Sequence, residues 1–382
     1  MNNEHQRLYA LTEHILHMMQ TNGGAISFHD WMQAALYQPK LGYYESKKIF
    51  GAKGDFTTAS AMGDWLAMGF ADTIIKAWHT LGQPQQWTLL EQGGGNGNLL
   101  CQILKQLEIL GVTPPHLISI EISEQLRQRQ QNSYEKHGLS VQTYPDLPSV
   151  PPIENLVMLS NELPDAFPVQ AFIHQQGKNM ERGVDWIDHQ FVWLALEAVN
   201  IPVAAHIQEQ WPDGYCSEFN PHLQSWQQAI ADICQRAVIL TVDYGYTQQE
   251  YYRQQRMEGT LMGHYQHQVV EDVLKLSPGV CDMTAHVDFS ALQQAGESVG
   301  LQSIAYTTQG AWLAQTQLIQ TQMQTLAANP NMENFAQITN AKRLMLPNGM
   351  GESFKLLIQV KGLNQDNSQN LVSPRFDRLH TL

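Results

Sequence analysis

A glycine-rich segment is the part of the sequence whose residue types and spacing most clearly indicate ligand chemistry. It runs Glu91-Gln92-Gly93-Gly94-Gly95-Asn96-Gly97-Asn98, between an apolar run and an amphipathic stretch. Glycines let a backbone turn sharply and approach a ligand closely. The first N–H groups of the helix that follows are available to an anionic group. The segment therefore predicts a nucleotide-like ligand, although a tight turn without any ligand is the alternative.

The spacing of the glycines separates two classes of cofactor. The dinucleotide fingerprint G-x-G-x-x-G, counted from Gly93 and Gly95, requires a third glycine where Asn98 stands. The pattern E-x-G-x-G-x-G is instead satisfied by Glu91, Gly93, Gly95 and Gly97. It is typical of S-adenosylmethionine (SAM)-dependent methyltransferases of the Rossmann-like class. We therefore expect these four residues to bind SAM, and we disfavour a nicotinamide-dependent oxidoreductase.

A second acidic residue supports a cofactor that contains ribose. Glu121 ends the apolar run of the next predicted strand, more than 20 residues beyond the glycines. A carboxylate at this place can accept hydrogen bonds from both ribose hydroxyls. The alternative is a solvated strand end without a ligand.

Polar residues follow the fourth predicted strand, where a reacting group is expected. Asn161, Glu162 and Asp165 occur within Ser160-Asn161-Glu162-Leu163-Pro164-Asp165, and ligands of doubly wound sheets gather beyond the carboxyl ends of the strands. Carboxylates can orient a guanidinium by paired hydrogen bonds, so we predict these three as catalytic residues. A turn that only closes the strand is the alternative, and Asp243 and His286 likewise admit either substrate contact or a structural role.

The elements that must position these residues alternate between strand and helix, which indicates an α/β fold with a parallel sheet. A helix is expected to begin after Ser27 as its N-cap, and a buried helix at 62–79. The predicted strands of the core lie at 87–91, 116–121, 139–143, 155–160 and 237–242, with a last strand at 354–360.

The predicted domain plan has three parts. Residues 1–84 form an N-terminal helical extension, 85–362 the core domain, and 363–382 a polar, frayed tail. Insertions are expected at about 165–220, 246–287 and 311–350. The first should hold an antiparallel meander with strands at 171–174, 183–187 and 191–196, and the second an irregular loop.

Composition excludes several classes of protein. The net charge of −14 argues against a nucleic-acid partner, because phosphate backbones select clustered Lys and Arg. No apolar run approaches the ~20 residues of a membrane helix, and the first 20 residues lack the pattern of a signal peptide. The four cysteines are scattered without metal-ligand spacing. We therefore expect a cytoplasmic protein without membrane insertion or a metal site.

Several linked motifs over roughly residues 26–360 resemble the MidA family of SAM-dependent methyltransferases. They are Gly42-Tyr43-Tyr44, Lys53-Gly54-Asp55-Phe56-Thr57-Thr58, the Glu91–Gly97 segment, Asn161-Glu162 with Asp165-Ala166-Phe167-Pro168, Asp243-Tyr244-Gly245, Gly259-Thr260-Leu261, and Asp282-Met283-Thr284-Ala285-His286. Mitochondrial members of that family assist the assembly of respiratory complex I and methylate an arginine in one of its subunits.

The resemblance implies a Rossmann-like class I methyltransferase core with an N-terminal helical extension and insertions on the substrate side. It also implies that Gly54, Asp55 and Phe56 close over the cofactor and that Asn161-Glu162 marks the active centre. Two departures stand out: Ser60-Ala61 replaces the usual Pro-Glu, and Gln92 and Gly94 replace an aliphatic residue and Ala or Pro. The extra glycine should make the loop more flexible.

The favoured function is therefore SAM-dependent methylation of a protein side chain, with arginine as the preferred acceptor. A respiratory-complex subunit is a candidate substrate by analogy with the family. A non-catalytic assembly factor that retains the fold is the alternative, since the changes at Ser60-Ala61 and in the glycine loop would suit a protein without turnover. The sequence contains no heptad repeat from which to predict an oligomeric state.

Overall fold

The computed structural model of the 382-residue chain describes residues 3–45, 62–266, 268–363 and 371–382. In chain order its helices are α1 (Asn3–Thr21), α2 (Phe28–Tyr37), α3 (Trp65–Thr80), α4 (Asn98–Ile109), α5 (Glu124–Lys136), α6 (Ala205–Gln208), α7 (Leu223–Ile233), α8 (Gln248–Tyr251), α9 (Phe289–Ser298), α10 (Gln309–Ala314), α11 (Gln317–Ala328) and α12 (Met332–Met345). The helix predicted after Ser27 is confirmed, and the Ser27 side chain accepts a hydrogen bond from the Asp30 N–H.

The strands are β1 (Ile26–Ser27), β2 (Thr88–Gln92), β3 (His116–Ile120), β4 (Gln142–Tyr144), β5 (Ile153–Asn161), β6 (Gln170–Gln175), β7 (Lys178–Ile187), β8 (Gln190–Ala198), β9 (Tyr215–Phe219), β10 (Cys234–Tyr246), β11 (Met262–Tyr265), β12 (Gln268–Val270), β13 (Asp282–Thr284), β14 (Val287–Asp288), β15 (Gln302–Thr308) and β16 (Phe354–Lys361). The chain divides into two compact units. Unit 1 comprises Met1–Phe56, Pro164–Leu223 and Tyr246–Asp288, and unit 2 comprises Thr57–Leu163, Gln224–Gly245 and Phe289–Leu382.

Unit 2 contains a sheet in the order β15-β16-β10-β5-β2-β3-β4. The strands from β10 to β4 pair in parallel, whereas β16 runs antiparallel to both β10 and β15. The strand order changes direction between β2 and β5, so the chain leaves a crevice at the carboxyl ends of these two strands. This mostly parallel sheet confirms the predicted Rossmann-like α/β core.

The sheet forms in this way because its central strands are apolar on both faces. Val157, Met158 and Leu159 of β5 are fully buried, as expected for a parallel strand covered by helices on both sides. Helix α3 packs against α4, α10 and α11, and the Trp312 indole N–H donates to the Thr73 hydroxyl at 2.9 Å. The predicted buried helix thus belongs to the covering layer of unit 2.

Unit 1 is built on an antiparallel sheet with the order β1-β7-β6-β9, in which β8 also pairs with β7. The predicted meander of β6, β7 and β8 is confirmed, but the added strands β1 and β9 were not anticipated. Aromatic side chains fill the core beside it: Phe172, Trp211, Tyr215, Tyr251 and Tyr252.

One buried carboxylate, that of Glu218, connects several segments of unit 1. Glu218 on β9 accepts hydrogen bonds from the Tyr251 hydroxyl at 2.7 Å, the Thr260 N–H at 2.8 Å and the Thr260 hydroxyl at 2.6 Å. The Thr260 hydroxyl in turn accepts from the His286 N–H at 2.9 Å. Glu218 is only 2% exposed, so these donors replace the water it has lost.

Two predictions about irregular segments are wrong. The 246–287 insertion is not an irregular loop, because it contains a three-stranded antiparallel sheet in the order β12-β11-β13. The tail is not frayed over 371–382: Leu371 and Val372 are buried, and the Asp377 carboxylate accepts from the Tyr306 N–H at 3.0 Å. The order of the tail depends on a partner distant in the sequence, since Asp377 contacts Tyr306.

Within the described part of the chain, no helix combines the length and apolar character required to cross a bilayer.

Candidate active site

The glycine loop connects β2 to α4 in unit 2, and its shape requires glycine. Gly93, Gly95 and Gly97 have φ of +75°, +55° and +79°, in the left-handed region that side chains with a Cβ disfavour. The Gly93 N–H donates to the Ile120 carbonyl of β3 at 2.9 Å, and the Gly97 N–H donates to the Gly94 carbonyl at 2.8 Å. The alternating glycines therefore bend the chain from the strand end into the start of the helix.

The glycine loop also packs closely against the side chains of Tyr134 and Leu163. A Cβ on Gly97 would lie 2.9 Å from Cε1 of Tyr134, and one on Gly93 would lie 2.8 Å from Cδ1 of Leu163. A Cβ on Gly94 would collide with the carboxylate oxygen Oε2 of Glu91. Gly94 thus has a steric reason to be glycine, beyond the added flexibility that the sequence suggested.

Glu91 lies beneath the loop. Its side chain is 1% exposed, and within the described residues its Oε2 atom has no hydrogen-bond partner. Burial, followed by the charge of Glu121, raises the pKa of the Glu91 carboxyl to about 8. The carboxyl is therefore mostly protonated at pH 7, because ionisation without compensating donors in an apolar setting is unfavourable.

Glu121 follows β3 directly and is not the solvated strand end considered as the alternative. It is 7% exposed, and its Oε1 atom accepts a hydrogen bond from the Ser123 N–H at 3.1 Å. Its own N–H donates to the Tyr144 carbonyl at 3.1 Å, which ties this corner to the end of β4. The carboxylate is thus held in one orientation at the strand end.

Asn161 and Glu162 stand at the carboxyl end of β5, beside β2 in the sheet. Glu162 has φ of +52°, a conformation that costs a non-glycine residue about 1–3 kcal/mol. Its N–H donates to the Val242 carbonyl of β10 at 3.0 Å, and the Asn161 Nδ2 donates to the Glu162 Oε1 at 3.1 Å. A strained backbone with an oriented carboxylate is characteristic of functional sites.

Asp165 belongs to unit 1, where it lies in a short 3-10 helix, Pro164–Ala166. Three hydrogen bonds fix this helix: the Tyr37 hydroxyl donates to the Ala166 carbonyl at 2.7 Å, Asn220 Nδ2 donates to the Pro164 carbonyl at 3.1 Å, and the Ala285 N–H donates to the Asp165 carbonyl at 3.0 Å. The Asp165 side chain is 4% exposed.

For Asp243 and His286 the sequence allowed either substrate contact or a structural role. Both side chains make contacts within the protein. The Asp243 carboxylate accepts a hydrogen bond from the Tyr244 N–H at 2.8 Å, and Asp243 lies within β10, where it pairs with Lys355 of β16. The His286 ring stacks on Tyr246 with 5.1 Å between the ring centroids. Both contacts support architectural roles.

The remaining predicted cofactor residues, Gly54, Asp55 and Phe56, lie outside the described residues, as do Ser60 and Ala61.

The sequence reasoning missed Gln130 of α5. Gln130 is completely buried; its Oε1 atom accepts from the Ser119 hydroxyl at 2.8 Å and its Nε2 donates to the Gly95 carbonyl at 3.1 Å. Spacing offered a signal, since Leu126, Gln130 and Tyr134 recur every four residues and therefore share one helix face. A glutamine on an otherwise apolar face indicates a buried polar contact.

This arrangement suits an adenosine-type cofactor. A Cβ has no room at Gly93, Gly94 or Gly97, and glycine allows a ligand to approach the loop backbone closely. The N-terminus of α4 adds N–H donors and the positive end of its dipole, and Glu121 supplies an oriented acceptor at the neighbouring strand end. The donors and acceptors present fit SAM.

Comparison with known proteins agrees with this geometry. A family model of S-adenosyl-L-methionine-dependent methyltransferases matches residues 70–307. The chain is 28% identical to the zebrafish (Danio rerio) mitochondrial protein arginine methyltransferase NDUFAF7, over 87% of this chain and 82% of the relative. The human protein of the same name is 26% identical over 90% of this chain and 82% of its own length.

A solved structure is similar over the whole chain. It is a COG1565 superfamily member from Burkholderia thailandensis bound to S-adenosyl-homocysteine (SAH), with a TM-score of 0.88 and 28% sequence identity, covering 100% of this chain and 99% of that one. These findings confirm the family expected from the sequence motifs. Because the family model spans more than half of the sequence, the chain belongs to the Methyltransf_28 family of SAM-dependent methyltransferases, and its cofactor is SAM.

Proposed function

We propose that the protein transfers the methyl group of SAM to an arginine side chain of a protein substrate. The observation that carries the proposal is the strained Glu162, whose carboxylate is oriented by Asn161 at the carboxyl end of β5. The names of the relatives support the choice of arginine, since the curated zebrafish and human proteins are called protein arginine methyltransferases.

The chemistry of a guanidinium matches an oriented carboxylate. Two parallel N–H···O bonds to a carboxylate fix the plane of the guanidinium. A guanidinium nitrogen must also lose a proton to become a good nucleophile, and the Glu162 carboxylate is the candidate acceptor. Asn161 keeps that carboxylate in place by donating to its Oε1 atom. SAM supplies an electrophilic methyl group, and positioning of the nucleophile provides most of the rate enhancement.

Cofactor binding is assigned to residues of unit 2 in the same proposal. Glu121 accepts hydrogen bonds from the ribose hydroxyls, while the backbone of Gly93, Gly95 and Gly97 lies against the cofactor. Glu91 supports the loop from beneath through its contact with Gly94. By resemblance to the family, Gly54, Asp55 and Phe56 are also proposed as cofactor residues, and Asp165 as a further catalytic residue.

Methyl transfer from labelled SAM tests the proposal directly. The purified protein is incubated with SAM carrying a tritiated methyl group and an extract of cells that lack its gene, and the labelled proteins are hydrolysed to amino acids. Label in methylarginine is the expected result. Label only in another amino acid would refute the arginine assignment, and the absence of transfer despite SAM binding would favour the non-catalytic assembly factor.

The variant Glu162→Gln tests the role proposed for the Glu162 carboxylate. It should retain SAM affinity by calorimetric titration but lower the transfer rate by 100-fold or more, within the range of a lost general base. The matched control is Glu108→Gln, which changes an exposed carboxylate on α4 in the same unit. Equal rates for the Glu162 variant and this control would reduce Glu162 to a structural role.

A further inference from the structure

We propose that Gln130 is a positioning residue of the cofactor site, which sets the shape of the glycine loop through its side-chain amide. One carboxamide connects three elements: the α5 helix that carries it, Ser119 on β3 and Gly95 in the loop. Gln130 and Ser119 are both completely buried. Water therefore cannot take over either hydrogen bond when the amide is removed.

The direction of the amide is set by its partners. Gly95 offers a carbonyl, which can only accept, so the NH₂ group of Gln130 must face the loop. The opposite oxygen atom must then accept, and the Ser119 hydroxyl is the donor at 2.8 Å. Each bond fixes the orientation needed by the other, so the pair acts as a unit rather than as two independent contacts.

The hydrogen bond that holds the Gly95 carbonyl also orients the following backbone amide group, that of Asn96. The peptide bond between Gly95 and Asn96 is planar and trans, so its C=O and N–H point in opposite directions. Because the Gly95 carbonyl is held towards α5, the Asn96 N–H points away from α5. A rotation of this peptide, which the permissive glycine would allow, would turn that donor aside.

A second residue of α5 reinforces the same support. Tyr134, four residues after Gln130, packs against Gly97 so closely that a Cβ there would lie 2.9 Å from its ring. The helix thus supports the loop at two alternate glycines. The Gln130 amide fixes the direction of the Gly95 carbonyl through a hydrogen bond, whereas the Tyr134 ring only limits the space beside Gly97. Gln130 is therefore the residue that determines the orientation of the Gly95–Asn96 peptide.

Gln130→Leu tests the proposal, since leucine fills similar volume without hydrogen bonds. Titration calorimetry with SAM and with SAH should show both affinities about tenfold weaker, the effect of losing one oriented hydrogen bond to a buried group. The control is Gln106→Leu, which removes another buried glutamine of unit 2 whose Nε2 donates to Asp64 at 3.3 Å and does not contact the loop. It should bind SAM and SAH normally.

The two variants also separate positioning from general stability. Both should lower the melting temperature to a similar extent, but only Gln130→Leu should weaken cofactor binding. Unchanged affinity in Gln130→Leu, or an equal loss of affinity in Gln106→Leu, would overturn the proposal. Ser119→Ala should weaken binding by less, and combining it with Gln130→Leu should add little, since both remove the same unit.

Gln130→Glu provides a readout that a purely structural role would not change. A protonated glutamic acid can still accept from Ser119 and donate to the Gly95 carbonyl, whereas its ionised form repels that carbonyl. SAM affinity of this variant, relative to the native protein at each pH, should therefore recover as the pH falls. The ratio is required because Glu91, Glu121, Cys101 and Tyr134 also lie near the loop. A ratio that does not change with pH would contradict the assignment.

Discussion

The buried Glu91 carboxyl should make the stability of the cofactor-free protein depend on pH. In the folded chain its pKa is about 8, against an ordinary value of 4.5, because of burial and the charge of Glu121. Between these two values the folded state holds a proton that the unfolded state releases. Stability is therefore fully present below pH 4.5 and falls as the pH rises through 8.

The magnitude follows from the width of that window. Each pH unit across it corresponds to about 1.4 kcal/mol, so the loss amounts to about 3 kcal/mol by pH 7 and about 5 kcal/mol above pH 8. A loss of this size is a large part of the free energy of unfolding of a typical protein. Glu91→Gln replaces the titrating carboxyl with an amide of the same shape. The variant should therefore not lose this stability as the pH rises.

Urea denaturation without cofactor, at pH 5, 7 and 9, measures the effect. The stability difference between Glu91→Gln and the native protein should be small at pH 5 and should grow by several kcal/mol in favour of the variant by pH 9. Glu108→Gln, which alters an exposed carboxylate on α4, should follow the native protein at every pH. A constant difference between Glu91→Gln and the native protein would show that the folded state already holds an ionised Glu91.

Two further substitutions test two other buried carboxylates, Glu121 and Glu218. Glu121→Ala should weaken SAM binding about tenfold in calorimetric titration with little change in the melting temperature; unchanged affinity would exclude Glu121 as the ribose ligand. Glu218→Ala should lower the free energy of unfolding by about 2–4 kcal/mol, because the Tyr251 hydroxyl and both Thr260 donors lose their acceptor. Glu209→Ala, at an exposed position of unit 1, is its control, and equal stabilities for the two variants would contradict the contribution assigned to Glu218.

Local patterns determined much of this protein before any tertiary contact was known. The strand, glycine loop and helix around Glu91–Gly97 are encoded within a few residues, since only glycine adopts their positive φ angles at low cost. The family follows from these motifs together with the other segments shared with MidA proteins. The start of α2 after Ser27 is equally local, because an N-cap depends on one side chain and the next turn.

The tertiary structure decided those features whose partners are far apart in the sequence. Strand β1 has only two residues and forms because it pairs with β7. Two residues are too few to show the alternating pattern that predicts a strand. Likewise, the spacing on α5 indicates a buried Gln130, but only folding brings Ser119 and Gly95 to its side chain as partners. The protonation of Glu91 has the same origin, since desolvation belongs to a packed environment and not to a residue type.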